Sequence, residues 1–217
     1  MSRVRAKICG LSTPSTLEAA IAAGADMAGF VFFDKSPRHI DFAVAHVLGL
    51  LAAGRIRKVA LTVDAGDDDI ATIIDELRPE LLQLHGRETP ERVRAVKARF
   101  DLPVIKAIGV STPDDVTGAR VYDGIADIIL YDAKPAPGAQ VPGGAGVAFD
   151  WRLLAGLDPR GAWMLSGGLA PENVAEAVRL TGAPGVDVSS GVESERGVKD
   201  EAKIAAFVKS ARAPQSG

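Results

Sequence analysis

The chain has 217 residues, 47% of them hydrophobic and 24% charged, which is enough for one complete core and too little for two. Its 28 acidic and 25 basic residues give a net charge of −3 without a basic stripe, which argues against a nucleic-acid partner. A single cysteine excludes an internal disulfide and indicates a reducing compartment. The first residues lack the apolar core of a signal peptide, and no stretch is apolar enough to span a bilayer. We therefore expect a cytoplasmic protein without a membrane partner, with one domain over residues 1–212 and a frayed tail at 213–217.

Short apolar runs recur along the whole chain and have the character of strands. Each run is rich in β-branched or large aliphatic residues and is bounded by Gly, Pro or Asp, as is typical of strands buried on both faces. The eight predicted strands are Arg5–Cys9, Met27–Phe33, Lys58–Val63, Leu81–His85, Val104–Ile108, Asp127–Asp132, Ala162–Ser166 and Gly185–Ser189.

Segments with helical spacing lie between these runs. Three of them begin with a proline behind a hydroxyl residue, at Thr13, Thr89 and Thr112, and a fourth begins at Ala170-Pro171. A hydroxyl cap followed by proline is a helix-start signal. The eight predicted helices are Thr16–Ala23, Ala43–Ala53, Asp69–Leu77, Pro90–Phe100, Pro113–Arg120, Trp151–Leu157, Pro171–Leu180 and Glu201–Ala211.

Eight strand–helix units in a chain of this length predict the α/β class and a single-domain (β/α)8 TIM barrel. An open, doubly wound sheet is the alternative, but eight strand–helix repeats are more than such a sheet usually contains. The connection from Ala133 to Ala148 is the longest and is rich in Pro and Gly. We expect it to be a mobile loop at the active site.

Glycine-rich segments follow each of the last three predicted strands. In a barrel these loops share one quadrant of the face at the carboxyl ends of the strands, where backbone N–H groups commonly bind phosphate. Glycine lets the backbone approach an anion closely. A dinucleotide fingerprint is rejected for the first segment because Phe149 stands where its third glycine belongs. The predicted phosphate-binding residues are Gly144, Gly146, Gly167, Gly168, Ser189, Ser190 and Gly191.

Polar side chains two residues apart at strand ends predict a pocket at the same mouth. Residues two apart share one face of a strand, so Lys7 lies with Cys9, Gln83 with His85, and Asp187 with Ser189. The strand containing Lys106 leaves open which of its faces is the inner one. We predict a pocket lined by Lys7, Gln83, His85 and Asp187, with Cys9 and Asp132 among its members.

The chemistry open to this pocket is proton transfer. The three histidines have no metal-ligand spacing to one another, and neither a Ser-His-Asp arrangement nor a Walker loop is visible. Isomerisation needs one group that takes a carbon-bound proton and another that protonates a leaving oxygen. Cys9 suits the first role if its pKa is lowered, for instance by Lys7, and Asp132 suits the second if its pKa is raised.

Seven motifs follow one another along the chain: Lys7-Ile8-Cys9-Gly10, Ser36-Pro37-Arg38, Gln83-Leu84-His85-Gly86, Tyr131-Asp132-Ala133, Gly143-Gly144-Ala145-Gly146 with Phe149-Asp150-Trp151, Ser166-Gly167-Gly168-Leu169 and Asp187-Val188-Ser189-Ser190-Gly191-Val192-Glu193. In this order they resemble the phosphoribosylanthranilate isomerase family over nearly the whole chain. The only visible departure is Ala145, where a polar residue is common, in a loop that would act through its backbone.

The resemblance implies an Amadori rearrangement of a small phosphoribosyl substrate in tryptophan biosynthesis, without a cofactor or metal. It implies that Cys9 is the general base, that Asp132 is the general acid and that Arg38 binds the anthranilate carboxylate. Another phosphosugar barrel, such as an epimerase, and a barrel that binds a phosphorylated ligand without turnover remain as alternatives. A second aldose isomerisation is also left open, as is the choice between monomer and homodimer.

Overall fold

The computed structural model describes residues 3–134, 148–157 and 161–213. Eight parallel strands form a closed barrel in chain order, and the first strand pairs with the last. This confirms the predicted (β/α)8 barrel, a single domain, and excludes the open sheet. The barrel strands are β1 (Arg5–Cys9), β2 (Met27–Phe32), β3 (Arg57–Thr62), β4 (Leu81–Leu84), β5 (Val104–Val110), β6 (Ile128–Ala133), β7 (Ala162–Leu165) and β8 (Gly185–Val188).

Helices cover the outside of the barrel. The three predicted hydroxyl caps are confirmed, because the side chains of Thr13, Thr89 and Thr112 each accept a hydrogen bond from the backbone N–H three residues later. None of the described helices is long and apolar enough to cross a membrane. The helices are α1 (Pro14–Ala22), α2 (Phe42–Ala52), α3 (Asp67–Leu77), α4 (Pro90–Phe100), α5 (Pro113–Gly118), α6 (Val174–Thr181) and α7 (Glu201–Ala211).

Three predicted helices differ from the structure. The segment predicted as Trp151–Leu157 forms only a 3-10 turn over Trp151–Leu154, and Gly156 just beyond it has a left-handed φ of +70°. Helix α5 gives way to a second 3-10 turn over Ala119–Tyr122. Helix α6 begins three residues after Pro171. Gly156 and Gly118 lie where the first two segments depart from the α-helix, and glycine is unfavourable inside a helix.

A small antiparallel hairpin after the last barrel strand was not predicted. It consists of β9 (Glu193–Glu195) and β10 (Val198–Lys199) and follows a 3-10 turn over Ser190–Val192. Strands of three and two residues are too short to show an alternating pattern. We call residues 193–199 the brace hairpin.

The barrel interior is apolar toward the amino ends of the strands. A buried cluster that includes Met27, Ile105 and Leu130 fills this part of the barrel. Because side chains alternate along each strand, Ile105 facing inward puts Lys106 on the outer face. There Lys106 Nζ lies 3.0 Å from Glu88 Oε2, and both side chains are buried. This pair fastens the loop after β4 to the barrel wall.

Candidate active site

The thiol lies at the upper end of the barrel interior. Cys9 is the last residue of β1, is 4% exposed and packs with Val31 and Leu61. On the neighbouring strand, a Cβ at Gly29 would lie 3.0 Å from the Cys9 sulfur and 3.2 Å from Lys7 Cε. Gly29 therefore leaves the space that both side chains occupy.

A buried ion pair lies directly beside the thiol. The register of β1 with β8 aligns Lys7 with Asp187, and Lys7 Nζ donates to Asp187 Oδ1 over 3.0 Å. Burial would lower the pKa of Lys7, but the charges of Asp187 and Cys9 outweigh it and raise that pKa. The positive charge of Lys7 is therefore retained inside the barrel.

The pKa of the Cys9 thiol is raised rather than lowered. Burial disfavours the thiolate and is the largest cause, while the ammonium groups of Lys7 and Lys199 oppose it without cancelling it. The condition that the sequence analysis placed on Cys9, a pKa lowered by Lys7, is therefore not met. Lys7 acts in the expected direction, but desolvation is stronger.

The carboxylate predicted as the acid is connected to a short polar chain. Asp132, in β6, is 6% exposed, and its Oδ1 accepts a hydrogen bond of 2.8 Å from the N–H of Ala133. Its Oδ2 lies 3.3 Å from His85 Nε2, and Nδ1 of the same ring is 2.9 Å from Gln83 Nε2. With the Gln83 amide in this orientation, its Nε2 donates to Nδ1, which leaves Nε2 of the ring as the donor facing Asp132. The polar chain thus runs from Gln83 through His85 to Asp132.

Arg38 is buried and is held by a carboxylate. It follows β2, is 5% exposed, and donates from Nε to Glu193 Oε1 over 2.6 Å and from Nη2 to Glu193 Oε2 over 2.9 Å. Gly10 has a φ of +80°, and a Cβ there would lie 2.7 Å from Arg38 Cδ. Gly10 is therefore required both by its backbone conformation and by the approach of Arg38.

Two further residues of the site, Glu193 and Lys199, were not predicted as site residues from the sequence. Besides Arg38, Glu193 accepts hydrogen bonds from Lys199 Nζ at 2.6 Å and from the N–H of Gly197 at 3.0 Å. Burial would raise the pKa of Glu193, but the bonds from Arg38 and Lys199 outweigh it and lower that pKa. No local signal identified this pair, because the hairpin that places Lys199 opposite Glu193 has strands too short to predict.

The predicted phosphate loops are described in part. Gly167 and Gly168 follow β7 with φ of +83° and +68°, and a Cβ on Gly191 would lie 1.9 Å from the carbonyl oxygen of Leu169. The loops after β7 and β8 are thus packed directly against each other. Gly144, Gly146 and most of the predicted loop Ala133–Ala148 lie outside the described residues.

The loop after β8 is also joined to the strand of the thiol. Ser189 Oγ donates to the carbonyl oxygen of Cys9 over 3.1 Å, and Lys199 Nζ donates to the carbonyl oxygen of Ser189 over 3.0 Å. Ser190 and Gly191 follow in the 3-10 turn. The glycine-rich loop and the thiol therefore belong to one hydrogen-bonded unit.

Ionisable groups on β1, β6 and β8 and in the segments after β2 and β4 meet at the carboxyl ends of the strands, which is where (β/α)8-barrel enzymes have their active sites. Within the described ranges, no group of three or more His, Cys, Asp or Glu side chains could hold a metal ion. The fold and the site thus define a (β/α)8-barrel enzyme with a polar mouth.

Comparison with known proteins gives the family. The family model described as N-(5'phosphoribosyl)anthranilate (PRA) isomerase matches residues 6–210. A protein of Rhodopseudomonas palustris (strain HaA2) named N-(5'-phosphoribosyl)anthranilate isomerase is 56% identical over 209 residues, 96% of each chain. The chain therefore belongs to the N-(5'-phosphoribosyl)anthranilate isomerase family.

Solved structures agree with this result. Phosphoribosyl anthranilate isomerase from Thermotoga maritima is 35% identical with a TM-score of 0.86, over 96% of this chain and 98% of that one. Another structure of a phosphoribosyl anthranilate isomerase, 34% identical with a TM-score of 0.83 over 96% of this chain and 98% of that one, contains reduced 1-(o-carboxyphenylamino)-1-deoxyribulose 5-phosphate.

Proposed function

We propose that this chain converts N-(5'-phosphoribosyl)anthranilate into 1-(2-carboxyphenylamino)-1-deoxyribulose 5-phosphate in tryptophan biosynthesis. The observation that carries the proposal is the family match over residues 6–210. The solved relative that contains a reduced carboxyphenylamino-deoxyribulose phosphate supports the substrate class. Two ionisable groups at the ends of β1 and β6 supply the acid and the base that this isomerisation needs.

The acid step is assigned to Asp132. Its protonated carboxyl group gives a proton to the ring oxygen of the ribose while the bond between that oxygen and C1 breaks. The nitrogen lone pair then forms a C1=N bond, which leaves a protonated Schiff base. His85, 3.3 Å from Asp132, orients this carboxyl group, and Gln83 orients His85. His85 and Gln83 are therefore positioning residues in this mechanism.

The base step is assigned to Cys9. Its thiolate takes the proton from C2, the C2–H electrons form a C1=C2 bond, and the C=N electrons return to nitrogen. The enol then loses its hydroxyl proton while C1 gains one, which gives the ketone without a net change in atoms or electrons. Because burial raises the pKa of Cys9, the thiolate is a minor species at neutral pH. Lys7, bonded to Asp187, is the nearby cation that lowers the cost of forming it.

The two ends of the substrate are assigned to separate parts of the mouth. The phosphate is assigned to the backbone of the loops after β7 and β8, where Gly168 and Gly191 permit close approach. The anthranilate carboxylate is assigned to Arg38, whose planar group suits paired hydrogen bonds. In this arrangement Glu193 keeps its two bonds to Arg38 while substrate is bound.

Consumption of N-(5'-phosphoribosyl)anthranilate, followed through the fluorescence of its aromatic ring, tests the proposal. We expect turnover that depends on this substrate and proceeds without added metal or cofactor. Binding without turnover would instead identify the non-catalytic barrel, and turnover of a phosphorylated pentulose alone would identify an epimerase. A second substrate with an aminoaldose phosphate group tests the bifunctional alternative. The cytoplasmic location and the monomer or homodimer state remain predictions.

A further inference from the structure

The brace hairpin contacts the loop after β2, in which Arg38 lies. Gly197, at the tip of the hairpin, has a φ of +87°, and a Cβ there would lie 2.8 Å from the carbonyl oxygen of Pro37. One residue further along, Arg38 makes its two bonds to Glu193. The hairpin and this loop are therefore joined by backbone packing and by a buried two-point ion pair.

The same hairpin is fastened to the loop after β8. Lys199 Nζ donates to Glu193 Oε1 at 2.6 Å, to Ser189 Oγ at 3.1 Å and to the carbonyl oxygen of Ser189 at 3.0 Å. Lys203 Nζ, in α7, donates to the carbonyl oxygen of Glu193 over 2.7 Å. The position of Glu193 is therefore determined from two sides, neither of which involves Arg38.

We propose that Glu193 is a positioning residue that fixes the Arg38 guanidinium for the substrate carboxylate, an inference that rests on the proposed function. An arginine side chain has many rotamers, and holding it in one of them before binding removes an entropic cost from binding. Glu193 is suited to this because its carboxylate binds Arg38 at two points while Lys199 holds it in place. Glu193 does not touch the reacting atoms in this account.

The chemistry of the group is consistent with an anionic ligand. Arg38 and Lys199 bring two cationic side chains to the single carboxylate of Glu193, and all three are buried. A second carboxylate arriving beside Arg38 adds the opposite charge to this group. Substrate recognition at this end thus depends on the geometry that Glu193 imposes.

The test compares two ligands on wild-type protein and on Glu193→Gln. One ligand is reduced 1-(o-carboxyphenylamino)-1-deoxyribulose 5-phosphate, and the other is the same compound without the carboxyl group. We expect Glu193→Gln to weaken the first ligand by about tenfold or more and the second by less than about twofold, the pattern of a lost carboxylate interaction. KM for substrate should rise while kcat stays within about threefold.

Glu195→Gln is the matched control, because Glu195 lies on the same hairpin and is exposed. It should leave both dissociation constants unchanged. A purely structural role of Glu193 would weaken both ligands alike, since the hairpin also supports the loop after β8. Equal weakening of the two ligands, or no weakening of either, would overturn the proposal.

Glu193→Asp covers the case in which the glutamine variant does not fold. It keeps the charge between Arg38 and Lys199 but shortens the side chain by one methylene, so the two-point contact is lost. We expect the same ligand-selective weakening, and dissociation constants like those of wild type would contradict the proposal. Wild-type turnover is measured in parallel: its absence would reject the proposed function, whereas the ratio of the two ligand affinities decides the role of Glu193.

Discussion

The two sides of the barrel mouth carry their charges differently. On the thiol side, Lys7 with Asp187 and Glu193 with Arg38 and Lys199 form buried ion pairs around Cys9. On the acid side, Asp132 contacts an imidazole at 3.3 Å and a backbone N–H at 2.8 Å. A buried thiol needs nearby cations to become a thiolate, and the lysines on this side supply them. The arrangement on the thiol side therefore suits the role proposed for Cys9, whereas the contacts on the acid side hold Asp132 in position.

The largest effect is expected from breaking the Lys7–Asp187 pair. Lys7→Met should lower the free energy of unfolding by about 3–5 kcal/mol, because Asp187 is left as an unpaired charge in the barrel. Urea denaturation measures this loss. The double variant Lys7→Met/Asp187→Asn should recover most of it, and Lys35→Met, at an exposed position, should cost little. A loss in Lys7→Met no greater than that in Lys35→Met would remove the contrast between the two sides.

The next effect concerns Arg38. Arg38→Ala should weaken binding of substrate by about 2–4 kcal/mol, the range for losing one member of a buried charged pair. Arg38→Lys should recover only part of this, because a point charge cannot form two parallel bonds. A ligand without the carboxyl group should bind wild type weakly and be nearly indifferent to Arg38→Ala. Equal losses for both ligands in a calorimetric titration would assign Arg38 to another task.

A substitution on the acid side should lower the free energy of unfolding less than a substitution on the thiol side. His85→Gln removes the 3.3 Å contact with Asp132 but leaves no unpaired buried charge of the kind Lys7→Met creates. We expect a loss of about 1 kcal/mol in the free energy of unfolding, the size of one ordinary hydrogen bond. The fall in kcat should be about tenfold, less than for loss of the acid itself, because His85 only orients that acid. A stability loss as large as that of Lys7→Met would show that both sides depend on charge pairing.

The pH dependence of Cys9 ionisation should report the thiol side. The pKa of Cys9 is raised by burial, so the ultraviolet absorbance of its thiolate, taken as the difference from Cys9→Ala, should still be rising with pH above neutrality. In Lys7→Met/Asp187→Asn, the ammonium that lowers the pKa of Cys9 and the smaller, opposing charge of Asp187 are both absent, and the rise should move to higher pH. A thiolate absorbance that is flat from neutral to alkaline pH in wild type would contradict a raised pKa of Cys9.

An effect on KM, similar in size to that of His85→Gln on kcat, is expected at the phosphate end. Gly168→Ala should raise KM by about tenfold with little change in kcat, because the added Cβ would lie 2.5 Å from that of Ala148 and alter the loop after β7. Gly156→Ala is the matched control, since Gly156 also has a left-handed φ, of +70°, but has open space around it. Equal values of KM in the two variants would argue against a phosphate site at this loop.

Much of this arrangement could be predicted because it depends on local patterns. The apolar runs fixed the eight barrel strands to within a few residues, and strand alternation brought Lys7, Cys9 and Asp187 together on the inner face. The same alternation could not place Lys106 until the inward neighbours Ile105 and Ala107 were known. Local sequence also gives no measure of burial, so the direction of the Cys9 pKa shift could not be foreseen.

The brace hairpin could not be predicted for a different reason. Its strands are too short for periodicity, and the bonds from Glu193 to Arg38 join residues 155 positions apart. Arg38 was singled out from its motif, but its partner was visible only after the barrel had closed and brought the loops after β2 and β8 together. Long-range ion pairs of this kind depend on topology rather than on local sequence.

The central claim is that Cys9 and Asp132 exchange the protons of the isomerisation, and substrate turnover by Cys9→Ala and Asp132→Asn tests it most directly. In the fluorescence assay each variant should lose at least about a hundredfold in kcat, the scale of general acid or base catalysis. KM should change little, because neither group is assigned to binding. A Cys9→Ala protein that turns over N-(5'-phosphoribosyl)anthranilate at close to the wild-type rate would contradict the account.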